Sequence, residues 1–426
     1  MKTSKYNYFV KKGENYICYN TMTQGIIEFN KLYYGNIIDF NPSFFDEDEL
    51  SLLKRYGILI DDHVDEDIII DDIRREKKYN NKDLYFTLEL TNLCNFRCVY
   101  CYQEHVSRVL NKKNVDSFYR YILEYTYQNE VNSLCIHWFG GEPLLNVDIA
   151  YNLDQKLKKY CNAKGIKYYS QMTTNGYLID KYYENYLSKM SIDMYTITLD
   201  GCEEIHNKSR PLKGGAPTFE KIVSNIKTLM QNDKHILIRY NVNYKNKNID
   251  NFLKYLEAED ILHNKNIKLS FNITVDMDCS NKVDKYYFEN VEKYAEVLKN
   301  IYETLFKNHV SLPRFSVGGL NCKFASKNNF VVNSDLSICR CSANESDLDF
   351  KFGKIIGGNI STKEENQFKD GFSVAFSDKC KECILKPICK GGCPLLDLKG
   401  MNNCVPEKYF FDDYVRMIYE EETRNI

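Results

Sequence analysis

The stretch LYFTLELTNLCNFRCVYC, residues 84–101, joins an apolar run of strand length to three closely spaced cysteines. Residues 84–90 have the pattern of a buried strand, and Cys94, Cys98 and Cys101 follow it in a Cys-x3-Cys-x2-Cys pattern. Three thiolates on one loop can hold three irons of a cubane cluster and leave the fourth iron without a protein ligand. The sequence therefore predicts a strand that leads into an iron-sulfur loop, with one iron able to take a small molecule.

Five further strand-like runs follow, and helix-like segments separate them. These runs are residues 134–139, 167–172, 194–199, 236–242 and 268–273. After the N-cap candidate Thr218, apolar residues recur at helical spacing as far as Met230. Six strands alternating with helices predict an α/β fold with a parallel sheet, open or curled into a partial barrel. Function in such folds lies at the carboxyl ends of the strands.

Turn-forming and polar residues stand directly after three of these strands. Gly-Gly-Glu at 140–142 follows the second strand, Thr-Thr-Asn-Gly at 173–176 the third, and Asp-Gly at 200–201 the fourth. Each motif alone is an ordinary turn former. Because the carboxyl ends of parallel strands share one edge, the motifs together predict a rim with the cysteine loop, glycine turns open to a ligand, and polar donors.

The other thirteen of the 16 cysteines fall into two sets. Five are scattered, and eight lie in the last quarter of the chain: Cys322, Cys339, Cys341, Cys380, Cys383, Cys389, Cys393 and Cys404. Zinc is an alternative for this second set, because Cys380-x2-Cys383 and Cys389-x3-Cys393 have the spacing of tetrahedral sites. Beside an iron-binding triad, two further iron-sulfur clusters are the favoured interpretation.

Composition limits the other possibilities. The chain carries 57 Lys and Arg against 59 Asp and Glu, and a net charge of −2 gives no electrostatic case for nucleic acid or anionic lipid. Residues 1–12 contain no apolar signal region, and no run of about 18 apolar residues could span a membrane. We expect a cytoplasmic protein with reduced thiols, in which clustered cysteines are metal ligands or catalytic groups rather than disulfides.

Residues 1–80 have a different pattern from the rest of the chain. Short apolar or aromatic runs at 6–10, 16–19 and 26–29 are separated by glycine-containing turns, which predicts a small antiparallel sheet. Apolar residues then recur at helical spacing from Asp46 until Gly57. Residues 61–78 are mostly charged, as in a solvated connector or an exposed helix. A domain boundary is expected near residue 80.

Residues 94–101, Cys-Asn-Phe-Arg-Cys-Val-Tyr-Cys, resemble the cluster loop of the radical S-adenosylmethionine (SAM) enzymes. With Gly140-Gly141-Glu142 and Asn175-Gly176, the resemblance extends over residues 84–275. It implies a partial (β/α)6 TIM-like barrel in which SAM binds the open iron of a 4Fe-4S cluster held by the triad. Reductive cleavage of SAM would give a 5′-deoxyadenosyl radical that removes a substrate hydrogen atom, with a flavodoxin or ferredoxin as reductant.

The resemblance also implies which residues contact SAM. Tyr100 would lie near the adenine, and Gly140, Gly141 and Glu142 would receive the methionyl amine. Thr198 and Arg210 match a polar pair that contacts the methionyl carboxylate, which a guanidinium can hold through two parallel bonds. The alternative for Arg210 is a surface arginine. Asn175 is a further candidate for cofactor binding.

Residues 198–219 resemble more narrowly the subgroup that carries a C-terminal SPASM domain, found in peptide maturases and anaerobic sulfatase maturases. Asn207 and Cys202 depart from its pattern, which has aspartate and proline there. The resemblance implies an outer auxiliary cluster on Cys380, Cys383, Cys389 and Cys404. It implies an inner one on Cys322, Cys339 and Cys393, with Cys341 as the candidate for the fourth ligand. Ser334 replaces a family glycine near this site, and without Cys341 the inner cluster would have an iron open to a substrate thiolate.

The expected domains are a peptide-recognition module at 1–80, the radical SAM barrel at 81–310 and the SPASM domain at 311–426. The first resembles the small, winged-helix-like element that maturases of ribosomally made peptides use to bind a leader. Such a module can add a disordered peptide as a strand to a sheet edge and so concentrate the rest of the peptide at the barrel. A purely structural cap is the alternative.

The leading functional hypothesis is an enzyme that removes a hydrogen atom from a precursor peptide and joins the carbon to a cysteine sulfur as a thioether. Carbon-carbon crosslinking is a close variant. Formylglycine formation, as in anaerobic sulfatase maturases, is the second enzymatic candidate, with Asp276 or Asp278 as its base. A non-catalytic electron carrier or zinc-binding peptide adaptor is the alternative from another class, and it predicts no SAM turnover.

Overall fold

The computed structural model describes residues 1–80, 82–103, 105–273, 288–315, 325–342, 350–362, 378–389, 391–398 and 400–424. The chain divides into two compact units. The terminal unit comprises Met1–Lys78, Glu289–Ala325 and Ser373–Ile426. The sheet unit comprises Tyr79–Phe288 and Ser326–Phe372.

Strands and helices alternate through most of the described chain. The strands are β1 Lys2–Thr3, β2 Asn7–Lys12, β3 Asn15–Asn20, β4 Ile26–Asn30, β5 Leu59–Ile60, β6 Asp83–Glu89, β7 Ser133–Phe139, β8 Lys167–Thr174, β9 Ile192–Thr198, β10 His235–Val242, β11 Ile267–Ile273, β12 Asn329–Val332, β13 Ser337–Cys339, β14 Lys351–Ile356 and β15 Asn359–Thr362. The helices are α1 Lys31–Ile38, α2 Glu47–Arg55, α3 Glu66–Tyr79, α4 Lys112–Gln128, α5 Val147–Lys164, α6 Ile179–Tyr182, α7 Glu203–Ser209, α8 Phe219–Gln231, α9 Asp250–Ala258, α10 Val291–Lys307, α11 Asp378–Lys381, α12 Lys386–Cys389, α13 Pro394–Leu398 and α14 Phe411–Thr423.

The N-terminal part of the terminal unit is a small α+β module. β2, β3 and β4 form an antiparallel sheet in that order, and β1 pairs with β5. α2 begins at a capping box between Asp46 and Glu49 and ends before Gly57, whose φ of +77° suits glycine. The core of the module contains Cys18, Phe29, Ile37, Phe45, Leu53, Ile58 and Leu59. The small antiparallel sheet and the helix after Asp46 match the prediction.

Helix α3 and the C-terminal helices complete the terminal unit. α3 forms from the charged segment that the sequence left as a connector or an exposed helix. At its start, Asp67 accepts hydrogen bonds from Tyr6 and from Lys386, which lies 319 residues away in the sequence. The ring of Phe411 in α14 also packs 4.9 Å from that of Tyr8. The N-terminal and C-terminal parts of this unit therefore contact each other directly.

The sheet unit contains a sheet in the order β11-β10-β9-β8-β7-β6-β12-β13-β14-β15. β6 to β11 are parallel, and helices connect each one to the next. All six predicted strands are present, with ends within a few residues of the prediction. This arrangement confirms the α/β fold with a parallel sheet.

Strands β12 to β15 extend this sheet in a way that the sequence analysis missed. β12 pairs with β6 in parallel, and β13, β14 and β15 continue as an antiparallel meander. β12 and β13 contain only four and three residues, too few for a repeating pattern to be recognised. Among the described residues, no helix is long and apolar enough to cross a membrane.

Candidate active site

A cavity of about 330 Å³ opens at the carboxyl ends of the parallel strands. All three triad cysteines line it. Six of the seven residues predicted to bind SAM line it as well: Tyr100, Gly140, Gly141, Asn175, Thr198 and Arg210. Glu142 is not among the lining residues. The loop after β6 and the ends of β7 to β10 thus bring together residues that are spread over more than a hundred positions of the sequence.

The cysteine loop is held against the segment that carries Arg210. The backbone N–H of Arg97 donates to Pro211 O at 2.9 Å, and that of Val99 donates to Ser209 O at 3.0 Å. The backbone N–H of Phe96 lies 3.3 Å from Cys94 Sγ. Burial raises the pKa of Cys94 to about 12 and that of Cys98 to about 11. Buried thiols of this kind need a nearby cation, such as iron, before they become thiolates.

The two glycines after β7 are required by the cysteine loop itself. Gly140 has a φ of +132°, and a Cβ there would lie 2.3 Å from Thr91 O. A Cβ on Gly141 would lie 2.5 Å from the carbonyl oxygens of Asn92 and Leu93. The backbone N–H of Gly141 donates to Thr91 O at 2.7 Å. Only glycine lets these two backbones approach so closely, and the turn thereby fixes the chain just before Cys94.

Glu142 lies behind the cavity wall rather than in it. Its buried carboxylate accepts hydrogen bonds from Thr174 Oγ1 at 2.7 Å, from Asn175 N at 2.8 Å and from Leu144 N at 3.0 Å. Burial raises the pKa of Glu142 to about 7, although these hydrogen bonds oppose the shift. Glu142 therefore joins the end of β7 to the end of β8 and holds Asn175 in place. The Asn175 side chain lies on the cavity, 2.8 Å from Asn95 Oδ1 and 3.9 Å from Cys94 Sγ.

A buried polar network surrounds the hydroxyl of Tyr100. This hydroxyl donates to Asp200 and accepts from Arg210 Nη1 at 2.8 Å and from Asn241 Nδ2 at 3.1 Å. Burial raises the pKa of Asp200, while the Arg210 charge lowers it. Arg210 is buried, and its Nε has no hydrogen-bond partner in the described structure. A donor of this kind that faces a cavity can bind a carboxylate.

Sequence reasoning missed two residues of strand β10. Arg239 and Asn241 line the cavity, and the alternate residues Ile236, Ile238 and Tyr240 are buried. In a strand, alternate residues point to opposite faces, so a polar residue at every second position near the carboxyl end was the available signal.

The departures at Asn207 and Cys202 have different consequences. Asn207 Oδ1 accepts hydrogen bonds from Thr218 N at 2.8 Å and from Phe219 N at 3.0 Å, so it caps helix α8 from outside the helix. Thr218 stands at the predicted N-cap position, but its hydroxyl donates to Arg210 O at 2.8 Å instead. Cys202 precedes α7 and makes no side-chain cap hydrogen bond. The amide oxygen of Asn207 supplies the acceptor that a carboxylate would offer.

The C-terminal cysteines lie in both units. Cys380, Cys383, Cys389 and Cys404 belong to the terminal unit, as does Cys393. Burial raises the pKa of Cys389, and the neighbouring Cys404 and Cys383 raise it further. Lys408 Nζ lies 3.7 Å from Cys404 Sγ. Cys339 and Cys341 belong to the sheet unit, while Cys322 and the base candidates Asp276 and Asp278 lie outside the described residues.

The residues of the cavity fit a cluster and SAM. Within the described ranges, no three His, Cys, Asp or Glu side chains are grouped to hold a metal ion. A cubane cluster places each cysteine on a different iron, so its ligands need not converge as they do around one ion. The three cysteines share the cavity with the glycine turn, with N–H donors near Cys94 Sγ and with Arg210, whose buried Nε has no hydrogen-bond partner in the described structure. The volume lies at the lower end of the range for small-molecule sites.

Comparison with known proteins gives the class of this chain. A model of the radical SAM superfamily matches residues 88–258. A cysteine-type anaerobic sulfatase-maturating enzyme of Clostridium perfringens (strain 13 / Type A) is 26% identical over 329 residues, which cover 70% of this chain and 85% of that enzyme.

Two solved structures share the fold. The structure of native anSMEcpe with bound AdoMet and Cp18Cys peptide has a TM-score of 0.64 and 22% identity, and covers 80% of this chain and 99% of that chain. The structure of Streptococcus suis SuiB bound to precursor peptide SuiA has a TM-score of 0.50 and 18% identity, and covers 95% of this chain and 98% of that chain.

The chain therefore belongs to the radical SAM superfamily. Within it, the protein is a radical SAM enzyme homologous to the anaerobic sulfatase-maturating enzymes. SAM and a 4Fe-4S cluster are the cofactors that this family implies.

Proposed function

We propose that the protein is a peptide maturase that removes a hydrogen atom from a ribosomally made precursor peptide and joins that carbon to a cysteine sulfur. The observation that carries the proposal is a groove in the terminal unit, suited to an extended peptide. The groove has a volume of about 260 Å³ and is lined by residues of β4, α1 and α2. It lies beside β4, which is an edge strand of the described three-stranded sheet.

The groove has the features of a strand-addition site. An edge strand offers backbone groups to a further strand, and side-chain pockets then select the peptide. Ile27, Phe29, Tyr33 and Leu52 give the groove an apolar wall. Its two acidic residues already have partners within the module. Glu28 accepts from Lys12 Nζ at 2.8 Å, and Glu49 accepts from the Tyr33 hydroxyl. We therefore expect a leader peptide that binds through apolar side chains.

SuiB is a protein of similar fold whose structure was solved with a precursor peptide bound. Its structure covers almost the whole of this chain and was solved with the precursor peptide SuiA. The structure of anSMEcpe covers less of it. The resemblance to SuiB lies in the fold, and it supports a chain that combines a module for a precursor peptide with a radical SAM sheet.

The chemistry is divided between the cofactors and this chain. When bound, the cluster and SAM supply a one-electron reductive cleavage to methionine and a 5′-deoxyadenosyl radical that takes a hydrogen atom from a carbon of the peptide. Cys94, Cys98 and Cys101 would hold the cluster, while Arg210 and Thr198 would orient the methionyl carboxylate. Forming the thioether releases the thiol proton and one further electron. The C-terminal cysteines are the candidates to hold two auxiliary clusters that accept this electron, with the ligand sets given by the SPASM resemblance.

Formylglycine formation is the second candidate, and a specific observation favours it. The Clostridium perfringens enzyme, which matures sulfatases, is matched over 85% of its length. The two functions differ in the fate of sulfur, because thioether formation retains the sulfur of a cysteine and formylglycine formation from cysteine removes it. Carbon-carbon crosslinking also retains the sulfur, but it leaves the thiol open to alkylation.

The test of the proposed function uses the anaerobically reconstituted full chain with dithionite and SAM. We expect 5′-deoxyadenosine, and about twelve irons per chain if three 4Fe-4S clusters bind. The peptide encoded next to the gene should lose two hydrogen atoms and one alkylatable thiol. Cys98→Ala should abolish SAM cleavage because the cluster loses a ligand. Zinc in the C-terminal sites, or intact clusters without 5′-deoxyadenosine, would refute the proposal, and loss of sulfur would favour the second candidate.

The groove has its own test. Leu52→Glu places a charge on the apolar wall and should weaken binding of a fluorescein-labelled leader peptide about tenfold, as expected when a charged group replaces a buried apolar contact. Leu32→Glu is the matched control, because Leu32 is 62% exposed and does not line the groove. Equal effects of the two substitutions would argue against the groove as the leader site.

A further inference from the structure

The guanidinium of Arg239 is a cation in the cavity that the mechanism above does not use. Arg239 lines the cavity, and its Nε is buried without a hydrogen-bond partner. Across the part of the chain that the structure describes, its side chain makes no hydrogen bond or salt bridge. The ionisable groups that act on it are the guanidinium of Arg210 and the hydroxyls of Tyr100 and Tyr102.

The neighbouring Arg210 differs in this respect. Its Nη1 donates to the Tyr100 hydroxyl, which in turn donates to Asp200, so a carboxylate balances its charge through one side chain. SAM brings one carboxylate together with a positive sulfonium and an amino group. Among the described residues no carboxylate pairs with Arg239, and the single carboxylate of SAM is expected at Arg210. Water can hydrate the guanidinium while the cavity is open, but a substrate that displaces this water must replace its hydrogen bonds.

Arg239 lies on β10, the strand next to the one that ends at the expected SAM contact Thr198. In strand register, Arg239 pairs with Thr198 of β9 on one side and with Ser270 of β11 on the other. Thr198 belongs with Arg210 on the side where the methionyl carboxylate is expected. Arg239 is one strand further out, toward β11, whose last residue Ile273 also lines the cavity. This outer part of the cavity, toward β11, is the side that we assign to the substrate.

We propose that Arg239 binds a carboxylate of the peptide substrate, so that an acidic side chain enters the cavity next to the carbon that loses its hydrogen atom. A planar guanidinium can hold a carboxylate through two parallel hydrogen bonds, which fixes the peptide in orientation as well as in place. Arg239 is thus a specificity-determining residue. The inference rests on the proposed peptide substrate and adds that the residue at the cavity is Asp or Glu.

The experiment measures binding of two capped peptides to the reconstituted full chain with SAM present. The probes are acetyl-Gly-Gly-Glu-Gly-Gly-amide and its Gln counterpart, and their dissociation constants are measured by saturation-transfer NMR. The wild type should bind the Glu peptide about tenfold more tightly, as expected for a charge-assisted pair. Arg239→Gln should remove this preference and leave the dissociation constant of SAM within about twofold. Arg75→Gln is the control, because Arg75 lies on the surface and pairs with Asp72, and it should keep the preference.

Other results would overturn the inference. A wild type without preference, or a preference that survives in Arg239→Gln, would remove Arg239 from peptide recognition. A tenfold loss of SAM affinity in Arg239→Gln with an unchanged preference would assign the guanidinium to the methionyl carboxylate. If Arg239→Gln fails to fold, Arg239→Lys decides instead: it keeps the charge but loses the parallel bonds, so the preference should fall several-fold, and an unchanged preference refutes the proposal.

Failure of this inference and failure of the proposed function give different results. If the wild type forms 5′-deoxyadenosine and modifies its peptide but does not distinguish Glu from Gln, only the role of Arg239 is wrong. If it forms no 5′-deoxyadenosine with intact clusters, the proposed function is wrong, whichever peptide binds better.

Discussion

The hydroxyl of Tyr100 connects three polar residues at the cavity end of the sheet, of which Arg210 and Asn241 line the cavity and Asp200 is buried behind it. It joins Asp200 and Arg210, which both follow β9, to Asn241, which lies on β10. The resemblance to radical SAM enzymes assigns the ring of Tyr100 to the adenine of SAM. The structure adds a second role for the same side chain, because the hydroxyl accepts a hydrogen bond from the guanidinium of Arg210, which the same resemblance assigns to the methionyl carboxylate.

Tyr100→Phe separates these two roles. The substitution keeps the ring but removes the hydrogen bonds to Asp200 and Arg210, so the buried guanidinium loses an acceptor. We expect SAM to bind about tenfold more weakly, in line with about 1.5 kcal/mol for a buried hydrogen bond to a charged group. Equilibrium dialysis with labelled SAM on the reconstituted enzyme measures this. Tyr127→Phe is the control, since Tyr127 is 83% exposed. Unchanged SAM affinity in Tyr100→Phe would show that the ring alone matters.

Chemistry at the level of single residues explains which site residues the sequence could reveal. The triad was visible because thiolates at this spacing have few other uses. The glycines at 140 and 141 were visible as well, although their contacts are with the cysteine loop backbone. The sequence could not show that Glu142 is buried and accepts three hydrogen bonds. A glutamate in such a position and one that binds a ligand look the same in a sequence.

At the scale of elements, helix α8 depends on a residue from the segment before it. The backbone N–H groups of its N-cap residue Thr218 and its first residue Phe219 donate to Asn207 of α7. Thr218 meanwhile fixes the carbonyl of Arg210. The cap of one helix and the position of the arginine in the cavity are thus coupled through two side chains, those of Asn207 and Thr218.

Asn207→Ala should destabilise the protein by about 1 kcal/mol or somewhat more, because the start of α8 loses its acceptor. Asn207→Asp should be neutral or slightly stabilising, because a carboxylate is favoured at a helix N-terminus. Urea unfolding of the full chain measures both. We also expect SAM to bind more weakly to Asn207→Ala than to Asn207→Asp. Equal stability of the two variants would show that the hydrogen bonds of Asn207 contribute little.

The six parallel strands that the sequence predicted share one property, which is length. Each of the six parallel strands has seven or eight residues with a continuous or alternating apolar pattern. β12 pairs with β6, and β13 pairs with β12. Because these long-range pairings define the two strands, their own residues give little indication of strand structure. Short strands defined by long-range pairing cannot be found from local patterns.

At the scale of the molecule, the terminal unit draws on three separate parts of the chain. Its contacts join residues hundreds of positions apart. Thr21 Oγ1 donates to Ile384 O at 2.6 Å, and Lys386 Nζ lies 2.5 Å from Asp67 Oδ1. Nothing in the sequence around either residue of such a pair indicates which residue is its partner. The sequence could therefore predict the N-terminal sheet and the cysteine-rich segment, but not that they form one compact unit.

The ion pair between Asp67 and Lys386 makes this unit sensitive to acid. Burial raises the pKa of Asp67, but hydrogen bonds from Lys386, Lys5 and Tyr6 outweigh it and bring the pKa to about 2. A folded-state pKa below the ordinary value of 3.8 stabilises the fold above about pH 4, and this contribution is lost as the pH falls toward 2.

Asp67→Asn should therefore lower stability by about 1–2 kcal/mol at neutral pH, allowing for the partial exposure of the carboxylate, and the difference from wild type should shrink between pH 4 and pH 2. The expected loss of stability comes from Lys386. Its side chain is only 8% exposed, and in Asp67→Asn its charge would stay buried without the Asp67 carboxylate. Hydrogen exchange of the full chain should show faster exchange in α3 and in residues 378–389 of the variant. Asp72→Asn on the same helix is the control, since Asp72 pairs with Arg75 at the surface and should change stability by less than about 0.5 kcal/mol. A difference between wild type and Asp67→Asn that stays constant down to pH 2 would show that the carboxylate acts through packing rather than through its charge.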